Sequence, residues 1–238
     1  MLRTVPVFLR KRTTFRRLVF VTALLFPLFS FTQNTKDALD CLNLKPQERP
    51  FSLKDHPDKC FRDELNVSNV TDLQNAENLF GISASEIKFV GCDIAPFYAR
   101  VDRTEPRLHF EIVYNSTLDR SAATIAILHE IGHVYQLKRA GSQDGLLSSA
   151  NQDLERVELG ADYLSGLAIG RLHLSEKNFE VGLALVGSYE VHSGPHGFPH
   201  ERSASFNYGV TAGKTVTSVS SLYDNFQDDD YGQIKHRW

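Results

Sequence analysis

Apolar positions change their period along this chain, and the change marks out its parts. Between residues 87 and 115 they come as short β-branched and aromatic runs, "IKFVGCDI", "FYARV" and "LHFEIVYN", the last two separated by "DRTEP". Such runs bounded by turn formers predict strands. The expectation is a small antiparallel sheet ending in the strand Leu108 to Tyr114. Beyond it the pattern lengthens to the helical period. Asp119 or Ser121 caps a predicted helix that runs to about Ala140 and stops at Gly141. A polar loop, "GSQDGLLSSANQ", then leads to a second long helix over about 152 to 173. Ser175 with Asn178 opens a third helix through Val191, and "HSGPHGFPHE" precedes a short fourth around 201 to 209. The tail "NFQDDDYGQIKHRW" reads as mobile. Upstream, residues 33 to about 85 are polar and turn-rich, with one short helix at about 71 to 80 ended by Gly81.

Composition changes this picture mainly at the N-terminus. A chain of 238 residues that is 42% hydrophobic and 23% charged can bury one sizeable core. Its first 32 residues hold six Arg/Lys, no acid and the apolar run "LVFVTALLFPLFSF" at 18 to 31, interrupted by Pro27. That run is shorter than the roughly 20 residues a spanning helix needs. It predicts a cleaved signal peptide over 1–32, with a signal anchor as the alternative. The chain then divides into a lead-in at 33–86, a main domain at 87–210 and a tail at 211–238. Without the first 32 residues, 20 basic groups face 29 acidic ones, a formal charge of −9. Nucleic-acid binding needs a positive footprint and is excluded as an expectation. A membrane partner is expected only if the N-terminal segment stays attached. Cys41, Cys60 and Cys92 lack the spacing of a thiolate zinc site, and two of them can pair in an oxidising compartment in any of three ways.

The helix "ATIAILHEIGHVYQLKRAG" raises a problem of its own, because a helix of core composition carries His129, Glu130 and His133. Burying such groups costs several kcal/mol unless partners compensate. His129 and His133 are four apart, hence one turn apart on one face, and can ligate a single cation. Glu130 in the HExxH spacing stands beside the metal as a general base. The second helix supplies the third ligand from "ERVELGADYLSG". Glu158 is preferred to Glu155 because Asp162, one turn on, would then orient a ligating histidine. Gly132, Gly160, Ala161, Gly166 and Ala168 would let the helices approach closely. Three N/O ligands suit Zn2+ best.

The set His129, Glu130, Gly132, His133 and Gln136, then "ELGADYLSG", then His196-Gly197 with Arg202, Phe206 and Gly209, resembles the bacterial neutral zinc metallopeptidase family. The resemblance covers roughly residues 88 to 210. It implies an α+β fold, mostly helical and zincin-like, with the small sheet before the metal-binding helix. It also implies that Glu158 is a ligand and that His196 and Arg202 form a structural or substrate-side block. The chain departs from the family at "HEIGHVYQ", where a second histidine often follows the metal-binding one, at "ADYLSG", where a cysteine often follows the aspartate, and at Ser203, Ala204 and Ser205, where bulkier residues are usual. These departures touch neither ligands nor base, but they leave substrate preference open.

The remaining polar groups have plainer readings. His192, His196 and His200 fall four apart in a non-helical loop, which reads as the rim of the site, with His196 a candidate for oxyanion stabilisation. Asn66, Asn69 and Asn115 match the glycosylation pattern but read as ordinary loop residues. The resulting expectation is an exported, periplasmic or extracellular, zinc-dependent endopeptidase acting on peptide or unfolded protein, with the edge of Leu108 to Tyr114 receiving the substrate strand. A non-catalytic zinc-stabilised scaffold and a zinc hydrolase of a non-peptide amide are the rivals.

Overall fold

A computed structural model describes residues 60–62, 71–92, 98–102, 109–117, 120–177, 181–182 and 196–236. The expected signal segment, Cys41, Asn66, Asn69, His192 and most of the expected third helix lie outside the described residues.

Four strands form one sheet: β1 (Cys60–Arg62), β2 (Ile87–Cys92), β3 (Tyr98–Asp102) and β4 (His109–Asn115). Their spatial order is β1-β2-β4-β3. The expected antiparallel sheet is corrected to a mixed one. β1 runs antiparallel to β2 and β3 antiparallel to β4, while β2 and β4 pair in parallel with Phe89 opposite Ile112. The cause is topological, since β3 returns along the far side of β4 and leaves the near side to β2. β4 is therefore interior, and the expectation that Leu108 to Tyr114 forms a free edge is also corrected: among the described strands the outer ones are β1 and β3. Phe110 to Tyr114 are all buried, as befits a strand covered on both faces. β1, unforeseen in the polar lead-in, is tied to β2 by a Cys60–Cys92 disulfide, so the lead-in and the main domain share one sheet.

Helix α1 (Thr71–Leu79) ends as expected, with Gly81 in the left-handed region at φ 65°. Helix α2 (Arg120–Ala140) follows β4 and carries the HExxH residues. The predicted polar loop after Gly141 contains helix α3 (Gln143–Ser149), whose Ser142 cap accepts a bond from Gly145 N at 2.9 Å. Helix α4 (Leu154–Leu172) is capped by Asp153 and is buried continuously from Val157 to Gly170. It packs between α2 and helix α5 (Pro199–Gly213), which is longer at both ends than the sequence predicts. α5 starts where Pro199 fits the first turn and the Glu201 carboxylate accepts from Phe198 N at 2.8 Å.

The tail is corrected most. Helix α6 (Val219–Asn225), a π-helical turn (Phe226–Asp230) and helix α7 (Tyr231–His236) occupy it. Phe226 and Ile234 are fully buried in the main core. Among the described residues no helix is long and apolar enough to cross a membrane.

Candidate metal centre

His129, Glu130 and His133 lie on the face of α2 turned into the core, and all three are fully buried. The two imidazoles stand edge to face with centroids 4.6 Å apart. What holds α2 near α4 is partly the absence of a side chain at Gly132. A Cβ there would meet the Ala161 carbonyl oxygen at 3.1 Å. Close approach brings Glu158 and Asp162 against the histidines from α4.

Each imidazole is fixed through Nδ1. That of His129 is 2.8 Å from Asp162 Oδ1, and that of His133 is 2.8 Å from Gln136 Oε1. Both Nε2 atoms therefore face the same point, and each is 3.4 Å from Glu158 Oε2. Two donors about 2.1 Å from a tetrahedral ion stand about 3.4 Å apart, so the spacing fits one cation. Neither Nε2 nor Glu158 Oε1 has a hydrogen-bond partner among the described residues, although all are buried. Orphaned polar atoms in a core call for a compensating partner. The buried His129, His133 and Glu158 group could hold a metal ion.

The electrostatics agree. Burial alone pushes the Glu158 carboxyl up, but His196, His133 and His129 outweigh it and hold its pKa well below the usual carboxylate range. Burial alone lowers His129, yet Asp162 and Glu158 push it up to about 9. The pocket thus attracts positive charge, and a cation binding there would displace a proton from His129. Burial likewise raises Asp162, but the Arg202 guanidinium and His129 bring it below its ordinary value.

Around this trio a second ring of contacts fixes orientation. Arg202, fully buried on α5, donates to Asp162 through Nε at 2.8 Å and Nη2 at 2.9 Å, a two-pronged pairing. That pairing fixes the Asp162 carboxylate that holds His129. Gln136 holds His133 and donates from Nε2 to the Val157 carbonyl at 2.8 Å and the Tyr223 hydroxyl at 2.9 Å. His196, the described histidine of the loop expected at the rim of the site, is buried, and its Nδ1 lies 2.9 Å from Glu158 Oε2. His200 is exposed and stacks on Phe198. Glu155, the competing ligand, instead accepts from Lys235 at 2.6 Å. Asn115 closes a local turn, accepting from Thr117 N at 3.0 Å.

Sequence reasoning assigned no orienting role to Gln136 and no role at all to Tyr223. The first was legible, standing three residues after His133 on the same helix. The second was not, because 87 residues separate it from Gln136.

No family model, curated protein or solved structure matches this chain.

Proposed function

We propose that this chain is a zinc-dependent endopeptidase, similar in its motif blocks to the bacterial neutral zinc metallopeptidases and built on a zincin-like fold. The observation that carries the reading is the convergence of two Nδ1-anchored histidines and Glu158 on one point, with Glu130 buried on the same helix. A structural ion would need the three ligands, but it would not need a carboxylate beside them.

When bound, zinc would polarise a carbonyl and acidify a water. The chain's own groups would do the rest. Glu130 would take the proton of the attacking water and later return it to the leaving amine. Asp162 and Gln136 keep the two imidazoles in the tautomers that present Nε2. Arg202 keeps Asp162 ionised while it does so. His196, beside Glu158, is close enough to meet charge developing on a substrate oxygen, and that role is part of the proposal. Peptides or unfolded protein are the proposed substrates. The Cys60–Cys92 disulfide supports export to an oxidising compartment, the periplasm or cell exterior.

The test is cleavage of a mixed peptide library by the zinc-loaded full chain, read by mass spectrometry beside Glu130→Gln. The parent should cut, and the variant should hold zinc yet lose about 10²- to 10⁴-fold in rate. Full zinc occupancy in both with no cleavage by either would overturn the peptidase reading and favour a scaffold.

A further inference from the structure

His196 meets Glu158 from the loop that enters α5, with Nδ1 2.9 Å from Glu158 Oε2. A contact of that length needs a fixed backbone at the residues that follow. Gly197 makes the turn, with φ of 81°, in the left-handed region that favours glycine. It is buried, and a Cβ there would meet Glu155 Oε1 at 3.0 Å, Glu201 Oε2 at 3.2 Å and Leu159 Cδ2 at 3.2 Å. Gly197 thus rests on two carboxylates. The stacking follows the turns of α4: Glu158 receives His196, and Glu155, about one turn earlier, underlies Gly197.

Two neighbouring carboxylates repel each other unless a cation or a shared proton holds them. Here the cation is Lys235 of α7, whose Nζ donates to Glu155 Oε1 at 2.6 Å and to Glu201 Oε1 at 2.8 Å. The second Glu201 oxygen, Oε2, accepts from Phe198 N at 2.8 Å. Lys235 is therefore linked through Glu201 to the amide two residues after His196, and through both carboxylates to the floor beneath Gly197. Burial and the adjoining Glu201 push Glu155 up to about 7 even with Lys235 in place. Burial also raises Glu201, but Glu155, Lys235 and the Phe198 N–H outweigh it and hold that carboxyl below its ordinary value. The carboxylate that caps α5 stays charged, and Lys235 is part of the reason.

The geometry points to Lys235 as a positioning residue for His196. It acts through Glu155 and Glu201 on Gly197 and Phe198, and these set where the imidazole meets Glu158. Without the ammonium the two carboxylates must separate or share a proton, and either change disturbs the floor under Gly197 or the cap at Phe198. The last helix thereby reaches the candidate metal centre by a route separate from the bond between Tyr223 and Gln136. The inference rests on the metal centre of the proposed function and not on peptide cleavage.

Zinc affinity of the full chain, measured by competition with a chelator, tests it in the parent, Lys235→Met, Lys235→Arg, His196→Gln and the double variant of Lys235→Met with His196→Gln. Losing a group that orients a ligand costs about 10- to 100-fold in metal affinity, so Lys235→Met and His196→Gln should each weaken zinc by about tenfold or more. Lys235→Arg keeps the charge and should recover most of the loss. The double variant should bind zinc no worse than His196→Gln alone, because Lys235 acts through the imidazole, whereas a residue that only stabilises the fold would add its own loss. If Lys235→Met fails to melt cooperatively, Lys235→Gln, which keeps a polar group without the charge, carries the same comparison. Additive losses, or full zinc affinity in the folded variant, overturn the proposal. A parent that binds no zinc overturns the metal reading instead, and the ring-proton signal of His196, identified by its loss in His196→Gln, then decides. It should shift in Lys235→Met and return in Lys235→Arg, and an unmoved signal overturns the positioning role.

Discussion

Asp162 serves two partners with one carboxylate, and that makes it the most sensitive single position outside the ligands. It accepts from His129 on one helix and from the Arg202 fork on another, with all three side chains fully buried. Asp162→Asn keeps the size but removes the charge that compensates a buried guanidinium. Breaking such a pair costs about 3–5 kcal/mol, and loosening a ligating histidine costs about 10- to 100-fold in metal affinity. Both losses should appear together, the first in thermal melts and the second in zinc competition with a chelator. A melt shift with unchanged zinc affinity would show that Asp162 does not orient His129. Glu77 makes a different case. Burial in α1 pushes its carboxyl up to about 7 from 4.5. Between those pH values the unfolded chain has released a proton that the folded chain keeps, so stability falls as pH rises through the window and stays low above it. Glu77→Gln should therefore melt about 2–4 °C higher than the parent at pH 8 and nearly level with it at pH 4.5, a gain of about 1 kcal/mol once residual solvent contact is allowed for. Equal melting at pH 8 would remove Glu77 from the pH dependence. At this scale the group that could hold a metal was legible, because four-residue spacing on a helix is a geometric statement. The place of His196 was not, since its contact with Glu158 depends on how a Gly/Pro-rich loop enters α5.

Helices α4 and α5 bring these residues together by backbone contact. A Cβ on Gly209 would stand 2.0 Å from the Tyr163 carbonyl oxygen, and one on Gly166 would stand 2.0 Å from that of Phe206. Neither partner is a flexible side-chain end, so the helices would have to separate. Gly209→Ala should accordingly lower stability by about 1–3 kcal/mol or more, against its better helix propensity. Gly232 in α7 has no heavy atom within 4 Å of such a Cβ. Gly232→Ala should instead raise stability by about 0.5–1 kcal/mol. Urea unfolding of the pair checks the contrast, and equal shifts would mean that contact between α4 and α5 does not limit stability. The small residues that permit this packing were visible in the sequence, as were three strands and the long helices. Strand direction was not. "HFEIVYN" is buried without alternation, the mark of a central strand, but only the placement of β3 beyond β4 decides that β2 runs parallel to it.

The molecule as a whole is closed by the segment that the sequence made look least structured. "DNFQDDDYGQIKHRW" is dominated by polar residues, and its few large apolar groups do not keep a helical period. Phe226 and Tyr231 are five apart because a π-helical turn inserts an extra residue between them, yet both are buried, with Ile234 one turn further. Tyr163 of α4 stacks on Phe226 at 4.6 Å, and Lys235 bridges Glu155 of α4 and Glu201 of α5 at 2.6 and 2.8 Å. Tyr223 reaches further in, taking the Gln136 N–H while Gln136 holds His133. The tail is thereby part of both the core and the support of the candidate metal centre, and removing residues 219–238 should have consequences of two kinds. Loss of Leu222, Tyr223, Phe226, Tyr231 and Ile234 strips five buried side chains from the core, each worth about 1.5–3 kcal/mol, more than the stability of an ordinary domain can absorb. The truncated chain should not melt cooperatively. Tyr223→Phe isolates the second effect, since it keeps the ring and removes only the hydroxyl that receives Gln136. Its melting should fall by no more than about 1–2 kcal/mol, while zinc affinity drops as His133 loses a fixed tautomer. A cooperative, full-affinity truncation would return the tail to the status of an appendage. Full zinc affinity in Tyr223→Phe would confine its role to packing.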